Sequence, residues 1–358
     1  MTEAVSVVIP TFNRAHLVRR AVDSVLAQCW SADEVIVVDD GSTDGTSAIL
    51  ASYGNRIRYI AQRHAGAGHA RNAGIRAARN PLVAFLDSDD EWLPAKLEMQ
   101  RTVLGARPDV LFCFSDFRGC DPRDGIVHQF LRSWHGDPRS WDQILGPGMA
   151  YSLLAPLPPG QNDFQVHIGD LSLPEMQSAY ISTITLVVRR EQAGDALHFA
   201  EDVGTFEDLE CFGRLVLRGR AAYLDCETSC NYGHESPRLT DAKTLITTTS
   251  RLMILERVWG KDAKFLSRYR NEYDKAIAET LCVRARAYLV GGNRLLARED
   301  LCRLPEGGPW LDRIAATLPS PLLQRLLRFR KVARGFTSHY ALAKREKLSD
   351  PPTSRNSQ

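Results

Sequence analysis

Three carboxylates, Asp87, Asp89 and Asp90, stand within four positions directly after the apolar run 82–86. Such a run is long enough for a buried parallel strand, and open α/β sheets bind ligands beyond the carboxyl ends of their strands. Clustered acids repel each other, and a divalent cation can offset that repulsion. Alternatively, the acids only precede a helix announced by Pro94, where negative charge is mildly stabilising. The stretch predicts either a cation site or an acidic helix start.

Three further polar loops follow predicted strands, at residues 10–14, 39–44 and 64–71. If the sheet is doubly wound, these loops and the acidic stretch share one edge and can line a single crevice. At its strand end, Asp39 or Asp40 can accept a hydrogen bond from a pyrimidine imide or a ribose hydroxyl. The same residues could instead cap the helix that follows. The pattern is thus compatible with a nucleoside site and with a purely structural role.

The loop at 64–71 carries Gly66, Gly68 and Arg71. Backbone amides of a glycine-rich turn and the fork-shaped guanidinium of an arginine can both bind a diphosphate. The spacing G-x-G-x-x-R differs from the dinucleotide fingerprint, and the sequence contains no Walker loop. NAD-dependent enzymes and P-loop ATPases are therefore disfavoured.

Alternating strand and helix patterns position these loops in the first hundred residues. Short β-branched or apolar runs predict strands, and apolar residues at helical spacing predict helices. The alternation predicts an α/β fold with a doubly wound, mostly parallel sheet flanked by helices and right-handed crossovers. The predicted strands are 5–9, 34–38, 57–60 and 82–86, and the predicted helices are 17–26, one through 49–50, 70–79 and 94–104.

The pattern is less regular in the rest of the chain. Residues 118–178 are rich in Gly and Pro without a clear period, which is typical of a functional lid or binding loop, or of disorder. We expect a domain at 1–240, a C-terminal helical extension at 241–334 and a disordered tail at 335–358. Further elements are predicted as strands at 110–114 and 221–224, a β-rich run at 180–188 and a helix at 205–217.

The overall composition is that of an ordinary intracellular protein. The 358 residues are 25% charged and 44% hydrophobic with a formal net charge of +2, which does not suggest a nucleic-acid partner. The N-terminus lacks the pattern of a signal peptide, and no run of about 18 apolar residues occurs. Eight cysteines without a CxxC pair indicate free thiols. We therefore expect a cytoplasmic location.

Four motifs together resemble the inverting GT-A-fold glycosyltransferases of family 2. The resemblance covers about the first 115 residues and continues more weakly to about residue 235. Any one motif is a weak signal, but four in the same order and register are specific. The motifs are SVVIPTFNR at 6–14, VVDDGSTD at 37–44, ARNAG at 70–74 and FLDSDDEW at 85–92.

This resemblance implies a nucleotide-diphospho-sugar donor and a divalent metal. In the family the first two motifs hold the nucleoside and the DxD motif carries the metal that bridges the diphosphate, here Mg²⁺ or Mn²⁺ at Asp89 and Asp90. Oxygen ligands suit these ions, which neutralise charge on the leaving diphosphate. The implied donor-binding residues are Pro10, Thr11, Asn13, Arg14, Asp39, Asp40, Gly41, Gly68, Arg71, Asn72, Asp87, Ser88 and His234.

An inverting transfer also needs a general base on the opposite face of the sugar. The family supplies it from an acidic pair at a helix start, which here implies Asp208 as the base and Glu207 as a supporting group. The earlier pair 201–202 competes for this role, and an exposed acidic helix start without catalytic function is a further alternative. Apolar residues after Asp208 favour the later pair, because they form a helix that would hold the base rigid.

Residues 321–334 interleave leucines with five basic residues in an amphipathic pattern. Such a helix can lie on an anionic membrane surface, or it can pack its apolar side on neighbouring helices and leave its arginines in water. The first alternative would place the protein at the inner face of the membrane, which suits a lipid-linked acceptor. The oligomeric state is left open.

Taken together, these features predict an inverting, metal-dependent glycosyltransferase in bacterial surface glycan assembly. It would move a sugar of hexose type from a nucleotide-diphosphate donor to a hydroxyl of a saccharide or lipid-linked acceptor. One alternative is a noncatalytic sugar-nucleotide-binding protein of the same fold, although all its expected metal and base residues are present. Another is a haloacid-dehalogenase-like phosphatase, which requires Thr or Val where Glu91 stands.

Overall fold

The computed structural model describes residues 3–28, 31–121, 125–203, 205–232 and 244–304. Its strands are β1 Val5–Thr11, β2 Glu34–Asp39, β3 Arg58–Ala61, β4 Leu82–Phe85, β5 Glu91–Trp92, β6 Val110–Asp121, β7 Gly125–Val127, β8 Met149–Ala150, β9 Gln165–Gly169, β10 Val187–Arg189 and β11 Arg220–Tyr232. Its α-helices are α1 Val18–Leu26, α2 Thr46–Ala51, α3 Ala67–Ala77, α4 Lys96–Ala106, α5 Phe130–His135, α6 Trp141–Ile144, α7 Ser172–Gln177, α8 Arg190–Ala193, α9 Glu207–Arg218, α10 Thr244–Arg257, α11 Ala263–Val290 and α12 Arg294–Cys302.

The strands form one mixed sheet in the order β3-β2-β1-β4-β10-β6-β11-β9-β8. β3, β2, β1 and β4 are parallel, as are β6 and β11, whereas the short β10 lies antiparallel between β4 and β6. The predicted doubly wound, mostly parallel sheet flanked by helices is therefore confirmed. The antiparallel insertion of β10 was not predicted, because strand direction there depends on pairing between distant segments.

All seven residues of β1 are buried, as expected for a central strand covered on both faces. α1 buries Val18, Ala21, Val22 and Val25, which recur at helical spacing. α3 approaches β1 so closely that a Cβ on Gly74 would lie 2.3 Å from Cγ1 of Val8. Both helices are thus held against the sheet by side chains of the core.

Backbone hydrogen bonds continue past the ends of the parallel strands and align the loops that follow them. The amide of Asp40 donates to the carbonyl of Thr11 at 2.9 Å, and that of Gln62 donates to Asp39 at 2.9 Å. The amide of Leu86 donates to the carbonyl of Val8 at 3.1 Å. The four predicted loops therefore emerge at one edge of the sheet.

The predicted irregular segment 118–178 consists of short elements, from the end of β6 to α7. Elements of two to six residues separated by Gly and Pro are too short to show a period in the sequence. β6 and β11 are longer than predicted and pair in parallel, with irregular register after Leu224 and after Glu227. β11 pairs with β9 through residues 221–224 and with β5 through residues 229–230, so the residues of β11 between these two ranges pair with neither strand.

The described residues divide into two compact units between Ala276 and Ile277. Within the second unit, Arg284 of α11 donates two hydrogen bonds to the buried carboxylate of Asp300 on α12, at 2.9 and 2.6 Å. The predicted boundary at 240/241, the amphipathic stretch 321–334 and the tail 335–358 all lie outside the described residues. Among the residues that are described, no helix has the length and apolarity needed to cross a membrane.

Candidate active site

The carboxylates of Asp39 and Asp40, each 2% exposed, hold the second and third loops in place. Asp39 accepts hydrogen bonds from the amide of Ser42 and the hydroxyl of Tyr59, both at 2.9 Å. Asp40 accepts a hydrogen bond from the amide of Gly66 at 2.7 Å. Its carboxylate oxygens are also contacted by nitrogen atoms of residues 62–65. Both predicted nucleoside contacts therefore lie in the crevice with oxygens already engaged by protein groups.

Asn13 lies beside them with a left-handed backbone, at φ 51°. Its side-chain oxygen accepts from the amide of Thr43 at 2.8 Å, which ties the first loop to the second. Pro10 and Thr11 form the buried end of β1. The hydroxyl of Thr11 is buried without a hydrogen-bond partner among the described residues, a state that a bound ligand would relieve.

Phe12 is a site residue that the sequence did not single out. Its ring stacks on the imidazole of His64, with centroids 4.1 Å apart and an interplanar angle of 21°. Nδ1 of His64 lies 2.8 Å from Oδ2 of Asp40, which orients the ring pair at the nucleoside loop. Aromatic faces of this kind can stack on a nucleobase. The available signal was an aromatic residue inside the first strand-end loop.

Two of the predicted glycines are needed for close approach. Gly41 has φ +83°, and a Cβ there would lie 2.9 Å from the amide nitrogen of His64. A Cβ on Gly68 would lie 2.4 Å from the carbonyl oxygen of Ala200. Their lack of side chains lets the loops meet at the strand ends.

Arg71 joins the acidic stretch to the predicted base helix. Its guanidinium donates to Asp87 and to Glu207, both at 2.8 Å, and the residue is 6% exposed. Burial raises the pKa of Asp87, and the adjacent Arg71 opposes that rise. Arg71 and Asp87, which were predicted to bind the donor, and Glu207, which was predicted to support the base, therefore form one ion-pair cluster.

Asn72, a predicted donor contact, uses its amide within the protein. Its nitrogen donates to the carbonyl of Phe199 and to the carboxylate of Glu201, both at 2.8 Å, while its oxygen accepts from the amide of Phe199 at 2.9 Å. These bonds fix the segment before α9 against α3.

The turn at 87–90 presents its two predicted metal ligands differently. The side chain of Asp89 is 22% exposed and lies 3.6 Å from Nε of Arg14. Asp90 is 2% exposed and accepts hydrogen bonds from Asn231 at 3.0 Å and from the amide of Tyr232 at 2.9 Å. Burial and then the nearby Asp89 raise the pKa of Asp90 well above its ordinary value.

In the described part of the chain, no group of three or more His, Cys, Asp or Glu residues is arranged to hold a metal ion. Mg²⁺ usually binds through one or two carboxylates together with substrate phosphates and water, rather than in an all-protein cage. The accessible carboxylate of Asp89 fits that requirement. Asp90, whose oxygens are engaged by β11, fits an anchoring role more readily. Ser88 is buried within the turn.

Arg20 also supports this turn and was missed from the sequence. It donates to the backbone carbonyl of Asp89, and its guanidinium lies 3.6 Å from the centre of the Tyr232 ring. The hydroxyl of Tyr232 donates to Glu91 at 2.8 Å. In sequence, Arg20 resembles an ordinary solvent-facing residue of α1, so its role depends on a contact across more than two hundred residues.

Asp208 lies in the first turn of α9, which begins at Glu207 after the left-handed Phe206. Its Oδ1 accepts from the amide of Leu209 at 2.8 Å. Burial and then the charge of Glu207 raise the pKa of Asp208 to about 7. A half-buried carboxylate with this pKa can accept a proton near neutral pH.

The competing acidic pair has other partners. Glu201 accepts from Asn72 and lies 3.2 Å from Nε2 of His69. Asp202 is largely exposed and pairs with Arg257 at 2.8 and 3.0 Å. The later pair is thus the one that joins the crevice through Arg71. The predicted donor contact His234 lies outside the described residues.

Sequence comparison with known proteins gives matches over part of this chain, which spans half or less of the length of the relatives named here. The profile of Glycosyl transferase family 2 matches residues 6–151. An uncharacterised glycosyltransferase of Rickettsia prowazekii is 42% identical over 100 residues, 28% of this chain and 31% of that protein. UDP-Glc:alpha-D-GlcNAc-diphosphoundecaprenol beta-1,3-glucosyltransferase WfgD of Escherichia coli is 35% identical over 129 residues, 36% of this chain and 50% of its own length.

Two solved structures share the fold. S. aureus TarS in complex with UDP-GlcNAc is 18% identical with a TM-score of 0.56, over 86% of this chain and 98% of that one. The mannosyltransferase PcManGT from Pyrobaculum calidifontis, in complex with GDP-Man and Mn²⁺, is 19% identical with a TM-score of 0.52, over 95% and 85% of the two chains. Residues 6–151 of this chain therefore match the glycosyl transferase family 2 model, and the structure has the predicted GT-A fold.

Proposed function

We propose that this chain is an inverting glycosyltransferase that uses a nucleotide-diphospho-sugar donor. The observation that carries the proposal is the buried Arg71, which binds Asp87 of the acidic turn and Glu207 of the base helix at 2.8 Å each. A donor diphosphate beside the acidic turn and an acceptor hydroxyl at α9 would then meet in one crevice. A noncatalytic binding protein would not require a carboxylate with a raised pKa at that position.

In the proposed reaction Asp208, in its deprotonated form, removes the proton from the acceptor hydroxyl. The hydroxyl oxygen bonds to the anomeric carbon as the bond from that carbon to the diphosphate oxygen breaks, so the configuration inverts. Arg71 holds Glu207 beside Asp208, and Glu207 keeps the pKa of Asp208 high enough for proton transfer. Arg14, close to Asp89, adds positive charge near the leaving group.

We propose Mg²⁺ or Mn²⁺ as the cofactor, with Asp89 as its protein ligand and Asp90 as the anchor of the turn. When bound, the ion would neutralise negative charge on the nucleoside diphosphate. The PcManGT complex, which contains Mn²⁺ together with GDP-Man, supports this choice.

The names of similar proteins support a donor class and an acceptor class. TarS is described with UDP-GlcNAc and PcManGT with GDP-Man, and the name of WfgD includes a diphosphoundecaprenol acceptor. We therefore propose a saccharide or lipid-linked acceptor in bacterial surface polysaccharide biosynthesis, with residues 1–240 as the catalytic domain. Binding of 321–334 to the inner face of the membrane is part of this proposal.

A thermal-shift screen of UDP, GDP and their hexose conjugates, each with Mn²⁺, tests the proposed donor. A ligand present at about 100 times its Kd should raise the stability by about 2.7 kcal/mol. The proposal expects one nucleotide series to raise the melting temperature, with the sugar conjugate binding as well as or better than the free diphosphate. No shift with any nucleotide would contradict it.

A further inference from the structure

Two cavities of about 420 Å³ each are lined by residues other than those of the strand-end crevice. They share Asp116, Gln129 and Asp225, so they form one two-lobed space, here called the cleft. None of the described residues predicted to bind donor, metal or base lines either cavity. Each lobe falls within the volume of about 300–1,000 Å³ usual for small-molecule sites.

The floor of the cleft is rigidly built. The hydroxyl of Tyr223 lies 3.2 Å from carboxylate oxygens of both Asp116 and Asp225. The indole of Trp141 stacks on the Tyr223 ring with centroids 3.6 Å apart. Elsewhere in the lining, Glu227 accepts from the amide of Gln129 at 2.8 Å and fixes that residue in a left-handed turn.

The second lobe is kept open by a glycine. Nδ1 of His167 lies 3.0 Å from the carbonyl oxygen of Gly146 and donates to it, which fixes the orientation of the ring and of Nε2. A Cβ on Gly148 would lie 3.0 Å from that Nε2 and 3.0 Å from the side-chain oxygen of Gln165. The backbone of Gly148 is not left-handed. Glycine is therefore favoured at this position because the neighbouring side chains leave no room for a Cβ.

The chemistry of the lining selects against anions and favours hydroxyl groups. Carboxylates accept hydrogen bonds from sugar hydroxyls, and amides and imidazoles can both accept and donate them. The lining carries four carboxylates against one arginine and two histidines, which repels phosphates and nucleotides. This is the opposite of what a diphosphate site needs, so the cleft is not a second donor site.

Buried side chains connect the cleft to the base helix. Trp141 packs edge-on against Tyr180 at 5.7 Å, and the amide of Tyr180 donates to the buried Glu175 at 2.9 Å. The carboxyl of Glu175 is close enough to Asp208 for their charges to interact. These contacts link the lining of the cleft to Glu175, whose charge acts on Asp208.

We propose that the cleft binds uncharged sugar units of an oligosaccharide acceptor, beyond the unit that receives the new sugar. The term acceptor depends on the proposed transferase function, whereas saccharide binding in the cleft does not. The two lobes imply at least two bound sugar units, so short acceptors should bind more weakly than long ones.

Saturation-transfer NMR and calorimetry on the full chain test this, with maltotetraose, cellotetraose and chitotetraose as probes and tetragalacturonate as the charged comparison. At least one neutral tetrasaccharide should bind, its disaccharide more weakly, and the charged one not at all. Asp225→Ala, which removes an acceptor, and Gly148→Ala, which fills a lobe, should each weaken binding about tenfold. Gly105→Ala, with no atom within 4 Å of the added carbon, is the matched control.

Nucleotide binding by the same variants checks that they are folded. Because nucleotide binding and saccharide binding are measured separately, failure of one test can be distinguished from failure of the other. Because one variant removes a polar group and the other adds volume, misfolding of one leaves the other informative. Failure of all three neutral probes to bind would overturn the proposal. Binding that is equal in wild type and in the two cleft variants would overturn it as well.

Discussion

Asp208 determines how the proposed reaction should depend on pH. Its pKa is raised to about 7 by burial and by Glu207, so below that pH the carboxyl is mostly protonated and cannot accept a proton. The value of kcat/KM should therefore fall about tenfold per pH unit below about pH 7 and level off above it. A pH profile at saturating metal measures this, and a flat rate down to pH 5 would contradict the assignment.

Asp208→Asn should leave donor affinity unchanged and lower turnover by about 10²–10⁴-fold, because the proton acceptor is lost. Calorimetry with the donor and a coupled assay for nucleoside diphosphate release measure the two quantities. Asp202→Asn is the matched control, since this largely exposed residue pairs with Arg257 and should retain near-wild-type turnover. Near-normal turnover of Asp208→Asn would assign the base elsewhere.

Arg71 connects three elements, because it extends from α3 to the end of β4 and to the start of α9. Arg71→Met would leave Asp87 and Glu207 without their shared cation, which should cost about 2–4 kcal/mol, less than for a fully buried pair because both acids are partly exposed. Arg71 also lowers the pKa of Asp208, so its loss should move the acid limb of the pH profile to higher pH. Urea denaturation and the pH profile measure the two effects. An unshifted acid limb would show that Arg71 does not act on the base.

The packing of α3 on β1 holds the glycine-rich loop at the edge of the sheet. Gly74→Ala would place a Cβ 2.3 Å from Val8, and overpacking of this kind costs about 1–3 kcal/mol. Gly105→Ala in α4 meets open space and should gain up to about 1 kcal/mol from helix propensity. Urea denaturation should separate the two variants, and equal midpoints would contradict the close packing.

For the whole molecule, local patterns predicted the four strand-end loops, since alternation of strands and helices over the first hundred residues allows few topologies. The partners of the site residues could not be predicted in this way. Asp90 is held by Asn231 and Tyr232, and Arg71 by Glu207, across more than a hundred residues. Such pairs depend on where β11 and α9 pack in the fold. Neither the spacing nor the composition of the sequence predicts that position.

The cleft was also beyond local prediction. Its residues are Leu93 and residues of β6, β11 and the segment 128–167, whose elements are too short to show a period. Only the general expectation of a functional segment at 118–178 was available from the sequence, and its role in binding an acceptor stays a proposal.

The proposed reaction depends on a donor that binds through a metal ion at Asp89. The measurement is a calorimetric titration of the best nucleotide sugar into wild type and Asp89→Asn, each with Mn²⁺ and with EDTA, and Asp195→Asn at an exposed position is the control. We predict that EDTA weakens binding to wild type and to Asp195→Asn at least about tenfold, the scale of one lost charge-assisted contact. Asp89→Asn should bind weakly under both conditions. Equal donor affinity with and without metal in wild type, and again in Asp89→Asn, would contradict the account.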